Sequence, residues 1–70
     1  HTGTYFTLAF YYIERNQKLS YNDAILLTDQ KESIDWLIEH ELIQLNNEKM
    51  LSIDYVDQQI VDFIFMLQKN

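Results

Sequence analysis

Apolar residues recur along this chain with two periods, and the change of period divides it into elements. Phe6, Ala9, Phe10 and Ile13 are spaced i, i+3, i+4, i+7, the signature of a buried stripe, and predict a helix over residues 4–16. Tyr5, Leu8 and Tyr12 form a second apolar stripe beside it. Asn16-Gln17-Lys18 breaks the pattern and leaves Leu19 in a very short strand or an extended link. A second helix starts at Ser20, whose hydroxyl suits an N-cap, with Asp23 as an imperfect capping-box partner. Ala24 and Leu27, with Ile25 and Leu26 beside them, supply its apolar contacts. Asp29 and Glu32 form another cap pair, which sets the start of a third helix at about Gln30. Ile34, Leu37, Ile38 and Leu42 mark one side of that helix.

The period then shortens to two. Ile43 and Leu45 alternate with Gln44, and Leu51 and Ile53 flank Ser52, which is strand spacing. Asn46-Asn47 between them tolerates positive φ and favours a tight turn. After Asp54 the helical spacing returns. Val56, Ile60, Phe63 and Leu67 make one stripe, with Val61, Ile64, Phe65 and Met66 off it. The predicted order is helix, helix, helix, hairpin, helix, an α+β and mostly helical fold. Residues 4–70 read as one domain, and His1-Thr2-Gly3 as an expression remnant or a cut point in something longer.

Composition narrows the function. Seventy residues bury only about 60% of the surface of the unfolded chain, so stability is marginal and small domains often add a staple. There is no Cys, and His1 and His40 make no convincing metal site, so a partner subunit is the expected support. The net charge is −6, and the five cations (Arg15, Lys18, Lys31, Lys49 and Lys69) are scattered. A basic stripe for nucleic acid is therefore not expected. No apolar run reaches the ~18 residues of a membrane span, and no secretory signal is legible. A cytoplasmic domain without membrane contact is the expectation.

Leu19-Ser20-Tyr21-Asn22-Asp23-Ala24-Ile25 and Trp36-Leu37-Ile38-Glu39-His40-Glu41-Leu42-Ile43 give the chain a resemblance to winged-helix (winged helix-turn-helix) domains. There a Leu-Ser pair leads into the second helix, and the third runs through a similar apolar pattern into the wing hairpin. The resemblance spans roughly residues 4–67 and rests on apolar spacing. It implies a small winged-helix-like domain. The chain departs from the pattern twice. His40-Glu41 stands where such families place Gly after the third helix. The third helix also carries Glu32, Asp35, Glu39 and Glu41 against the single Lys31, where base-reading Arg, Lys, Asn and Gln would stand.

Each candidate site has a plainer alternative. The acidic third helix is either a solvated face or a patch for a basic partner. Trp36 is either partly buried against a neighbouring element or an interface anchor. The surplus stripes of the first and last helices are either aromatic-rich core or a docking surface. His40, near a helix C-terminus, is a dipole partner rather than a ligand. No phosphate loop, nucleophile motif or metal cluster is present in the sequence, so neither an enzyme nor a cofactor is expected.

The expected function is protein–protein interaction or homodimerisation, through Tyr5, Leu8, Tyr12, Trp36, Ile64 and Phe65, within a regulatory or DNA-handling assembly. The alternative is a DNA-binding transcriptional regulator using Lys18, Gln30, Lys31 and Lys49. A third reading is an acidic inhibitor of a nucleic-acid-binding protein.

Overall fold

A computed structural model describes residues 1–53 and Met66. Helix α1 spans Thr2–Glu14, α2 spans Tyr21–Thr28 and α3 spans Lys31–Glu39; strands β1 (Gln44–Leu45) and β2 (Leu51–Ser52) follow. The domain is α+β and mostly helical. The expected last helix, with Ile64 and Phe65, lies outside the described residues.

Helix α1 begins and ends two residues earlier than the apolar spacing predicts. The His1 carbonyl already accepts the Tyr5 N–H at 2.9 Å, so residues 2 and 3 are helical. The helix stops because Asn16 and Gln17 adopt φ of 57° and 63°, a left-handed conformation that L-residues cannot propagate. Its core face differs from expectation. Leu8 is 0% exposed and Tyr12 8%, whereas Phe6, Phe10 and Ile13 are only half-buried. Of the predicted core stripe only Ala9 is fully enclosed. Two adjacent stripes satisfied the same helical period, and periodicity cannot choose which one turns inward.

The link after α1 is extended and makes a single β-bridge to the hairpin. Leu19 is fully buried, its carbonyl accepts the Leu51 N–H at 2.8 Å, and Ser20 pairs antiparallel with Met50. β1 and β2 pair with Gln44 opposite Ser52 and Leu45 opposite Leu51. The turn is organised by Asn46, whose side-chain oxygen accepts the N–H groups of Glu48 and Met50 at 2.8 and 3.0 Å. Lys49 supplies the left-handed residue, with φ of 63°. The strand alternation is fulfilled: Ile43, Leu51 and Ile53 point into the core.

Ser20 caps α2 as its position predicts, accepting the Asp23 N–H at 3.1 Å. The Asp29–Glu32 cap pair does not form. Asp29 instead ends α2 in a left-handed conformation, and its N–H donates to the Ile25 carbonyl. Gln30 is the N-cap of α3 and makes no side-chain cap bond. The Thr28 hydroxyl serves this turn, accepting the Gln30 N–H and donating to the Ala24 carbonyl.

Helix α3 buries Ile34 and Leu37 but not Leu42, which is 50% exposed. Glu41, with φ of 60°, reverses the chain first. That resets the helical phase, so Ile43 takes the core position that the helical spacing assigned to Leu42. Glu41 thus holds the left-handed place that glycine usually fills. The core joins Leu8 and Tyr12 of α1, Leu19, Ala24 of α2, Ile34 and Leu37 of α3, and Ile43, Leu51 and Ile53 around the hairpin.

Candidate interaction surface

Helix α3 presents two features to the surface: a caged tryptophan and a carboxylate that neutralises its only cation. Trp36 stacks on His40, one turn later, with centroids 4.1 Å apart and ring planes at 25°. It also stacks on His1, with centroids 4.3 Å apart and planes at 11°. Two rings at these distances cannot share one face of an indole without clashing, so they cover opposite faces. Hydrogen bonds hold both imidazoles: His40 Nδ1 lies 2.9 Å from the Trp36 carbonyl, and His1 Nδ1 lies 2.7 Å from the Ser33 hydroxyl. The indole is fixed and offers its edge, not its faces.

That edge opens on a groove of about 570 Å³ between the start of α1 and the end of α3. His1, Thr2, Tyr5 and Phe6 line it from the start of α1, and Trp36, Leu37, Glu41 and the half-exposed Leu42 line it from the end of α3 and the turn after it. Among the described residues no Lys or Arg lines it. Glu32, one turn before Trp36, is exposed on the same side of α3.

On the other side of α3, Tyr21, Asp35 and Lys31 form one cluster. The Tyr21 hydroxyl donates to Asp35 Oδ1, and Lys31 Nζ donates to Asp35 Oδ2 at 2.7 Å. The Lys31 bond and then the Tyr21 bond hold the Asp35 carboxyl below the usual carboxylate range. The same bonds raise the other two groups: Tyr21 through its bond to Asp35 and then partial burial, Lys31 through its bond and attraction to Asp35. The cluster ties the start of α2 to α3. It also spends the one cation of α3 on a neighbouring carboxylate.

Of the residues assigned to an interface from sequence, Tyr5 and Trp36 come together at the groove. Leu8 and Tyr12 do not belong to a surface. They are core residues, because α1 turns that stripe toward Leu19, Ala24 and Ile34. Ile64 and Phe65 lie outside the described residues. Of the residues of the DNA reading, Lys31 and Lys49 both lie near Asp35, whereas Gln30 and Lys18 lie apart from them. Lys31 is paired with Asp35. Lys49 sits in the hairpin turn and lines a second groove with Tyr21, Asp35 and Glu39. Gln30 borders a separate depression with Thr7 and Thr28, and Lys18 is exposed beyond the end of α1.

Two participants, Tyr21 and His1, were not legible in the sequence. The Lys31–Asp35 pair was legible from its i, i+4 spacing, but Tyr21 is fourteen residues from Asp35 and carries no local signal. The His40–Trp36 stack was legible in the same way; the His1 stack was not. Among the described residues no group of three or more His, Cys, Asp or Glu side chains is placed to hold a metal, and no helix is long and apolar enough to cross a membrane. No family model, curated protein or solved structure matches the chain.

Proposed function

We propose that this chain is a non-catalytic protein–protein interaction or dimerisation module with a winged-helix-like arrangement, working in the cytoplasm within a larger regulatory or DNA-handling assembly. The observation that carries the reading is the surface of α3. Its single cation is tied to Asp35, and its Trp36 has both faces covered. Phosphate binding depends on free Lys and Arg charge, and single-stranded bases need an open aromatic face. Helix α3 offers neither, and the exposed Lys18 and Lys49 stand on other elements. The groove instead offers an indole edge, Leu42 and Phe6, the kind of aromatic and aliphatic anchor around which protein interfaces are built.

The winged-helix-like reading is supported by element order. A helix leads through a single β-bridge at Ser20 into α2, a two-residue turn leads into α3, and a hairpin follows that bonds back to that link through Met50 and Leu51. Order alone does not carry function across folds, so the reading rests on the surface chemistry.

Solution mass by light scattering tests it, with Leu42→Glu as the variant. Leu42 is half-exposed, so the fold tolerates the change, and the expected result is loss of self-association or of partner binding. Saturable binding of duplex DNA at low salt that disappears in Lys31→Glu would replace this reading with the DNA-binding one.

A further inference from the structure

We infer that β1 is an edge through which two copies of this chain pair, antiparallel and about a two-fold axis at Leu45. The inference goes beyond the reading above, because it uses the open edge of the sheet and not the groove between α1 and α3.

The hydrogen bonds of the hairpin fix which way each backbone group points. The Asn46 N–H donates to the Met50 carbonyl, and the Leu51 N–H turns the other way, to the Leu19 carbonyl. In an antiparallel pair, residues that bond across alternate with residues that do not. Gln44 opposite Ser52 therefore bonds across, as Asn46 does, and Leu45 opposite Leu51 does not. The Leu45 N–H and C=O point away from β2, and neither has a partner among the described residues. The other side of the sheet is closed, because the Ser20 carbonyl accepts the Ala24 N–H as α2 begins. A strand laid beside β1 meets both open groups at once.

A second copy fits because this edge is complementary to itself. Leu45 offers a donor and an acceptor, so two copies of it bond each other twice across a two-fold axis. That register sets Gln44 opposite Asn46, and both are exposed. The Asn46 side-chain oxygen is taken by its own turn, which leaves its amide nitrogen to donate to the Gln44 side-chain oxygen of the other copy. Farther out, Glu41 is sent toward Lys49 and Glu48 toward Leu42, so no like charges oppose each other along the edge. Residues 42–47 include no charged residue and no Pro, the devices that keep open edges apart. Half-buried Leu45 and Ile38 line the groove beside the edge, with Asp35, Glu39 and Lys49 around them. Pairing sets the two Leu45 side chains against each other there. The contact closes, since each copy uses its open edge once. β1 is only two residues long, so the contact falls short of the ~1,000 Å² of a stable interface and the dimer is weak. The charge of −6 on each copy opposes pairing, and salt screens it beyond about 8 Å at physiological strength.

Light scattering of the full chain from about 10 μM to about 1 mM, in about 0.15 M salt, tests the pairing. The expected mass rises from one chain toward two. Leu45→Pro deletes the outward N–H and no bond to β2, so it should weaken the dimer about tenfold or more through two lost hydrogen bonds. Phe6→Glu, in the groove between α1 and α3, should leave the dimer intact; urea midpoints check that both variants fold. Hydrogen exchange at the Leu45 amide needs no variant and decides the matter if Leu45→Pro does not fold: its protection should rise with protein concentration. A chain that stays monomeric throughout, or a Leu45 amide whose exchange ignores concentration, overturns the proposal. A dimer lost in Phe6→Glu and kept in Leu45→Pro places self-association in the groove, so the interaction-module reading stands and this one falls. A Leu45 amide protected at monomeric mass only when cell extract is added assigns the edge to a foreign strand, and also overturns it.

Discussion

Truncating Leu8 to alanine decides between the two roles its stripe could play. The side chain is fully enclosed, among Tyr12, Leu19, Ala24, Ile34 and Leu37. Leu→Ala at such a site removes transfer free energy and leaves a cavity, and costs about 2–5 kcal/mol. Seventy residues at about 0.05–0.15 kcal/mol each give a total of about 4–10 kcal/mol, so the substitution takes a large part of it. With a urea slope near 1 kcal/mol per M for so small a domain, the midpoint should fall by about 2 M or more. Trp36 is the only tryptophan, and its emission reports the transition. Leu26→Ala is the control, because that side chain is 81% exposed and should change stability by less than about 0.5 kcal/mol. If Leu8→Ala instead leaves the midpoint in place and alters the solution mass, Leu8 is a contact residue and the placement of the α1 core stripe is wrong.

Ser20→Ala removes the cap on the Asp23 N–H and should lower stability by about 1 kcal/mol, read from the same urea curves. Glu41→Gly should raise it by up to about 1 kcal/mol, because a left-handed L-residue is strained by about 1–2 kcal/mol and glycine's greater freedom when unfolded returns part of that; an unchanged or lower midpoint would contradict the assigned conformation. The Tyr21–Asp35–Lys31 cluster predicts a pH window. Asp35 is lowered, so its contribution is present above the ordinary carboxylate range near pH ~4 and is lost as pH falls through its own value. Tyr21 and Lys31 are raised, so theirs are full below pH ~10 and are lost as pH rises through the folded values. The difference in urea midpoint between wild type and Asp35→Asn should therefore be largest between about pH 5 and 9 and shrink on both sides; a difference that stays constant with pH would refute the cluster.

What was legible in the sequence was local. The Ser20 cap and the strand alternation around Gln44 and Ser52 depend on residues a few positions apart and stand where the pattern placed them; the turn forms around Asn46, but its left-handed residue is Lys49 and not either Asn. What was not legible depended on phase. Two apolar stripes on α1 fit one period equally well, so the choice of Leu8 and Tyr12 for the core required the neighbouring elements. Leu42 fits the helical stripe of α3 until Glu41 turns left-handed, and no rule makes glutamate a common choice there. Of the site, Tyr5 and Trp36 were found separately, one as a surplus aromatic and one as a lone tryptophan. Their meeting across a groove is a tertiary fact, as are the His1 stack and the Tyr21–Asp35 bond.

The central claim is that the groove between α1 and α3 contacts protein and not nucleic acid. Replacing Leu42, half-exposed at its wall, with a photo-crosslinking amino acid in cells expressing the full chain reads that contact directly. The account predicts an adduct with protein, either a second copy or another chain, that survives nuclease and is lost when Phe6→Glu is added. A nuclease-sensitive adduct, or none, would contradict it.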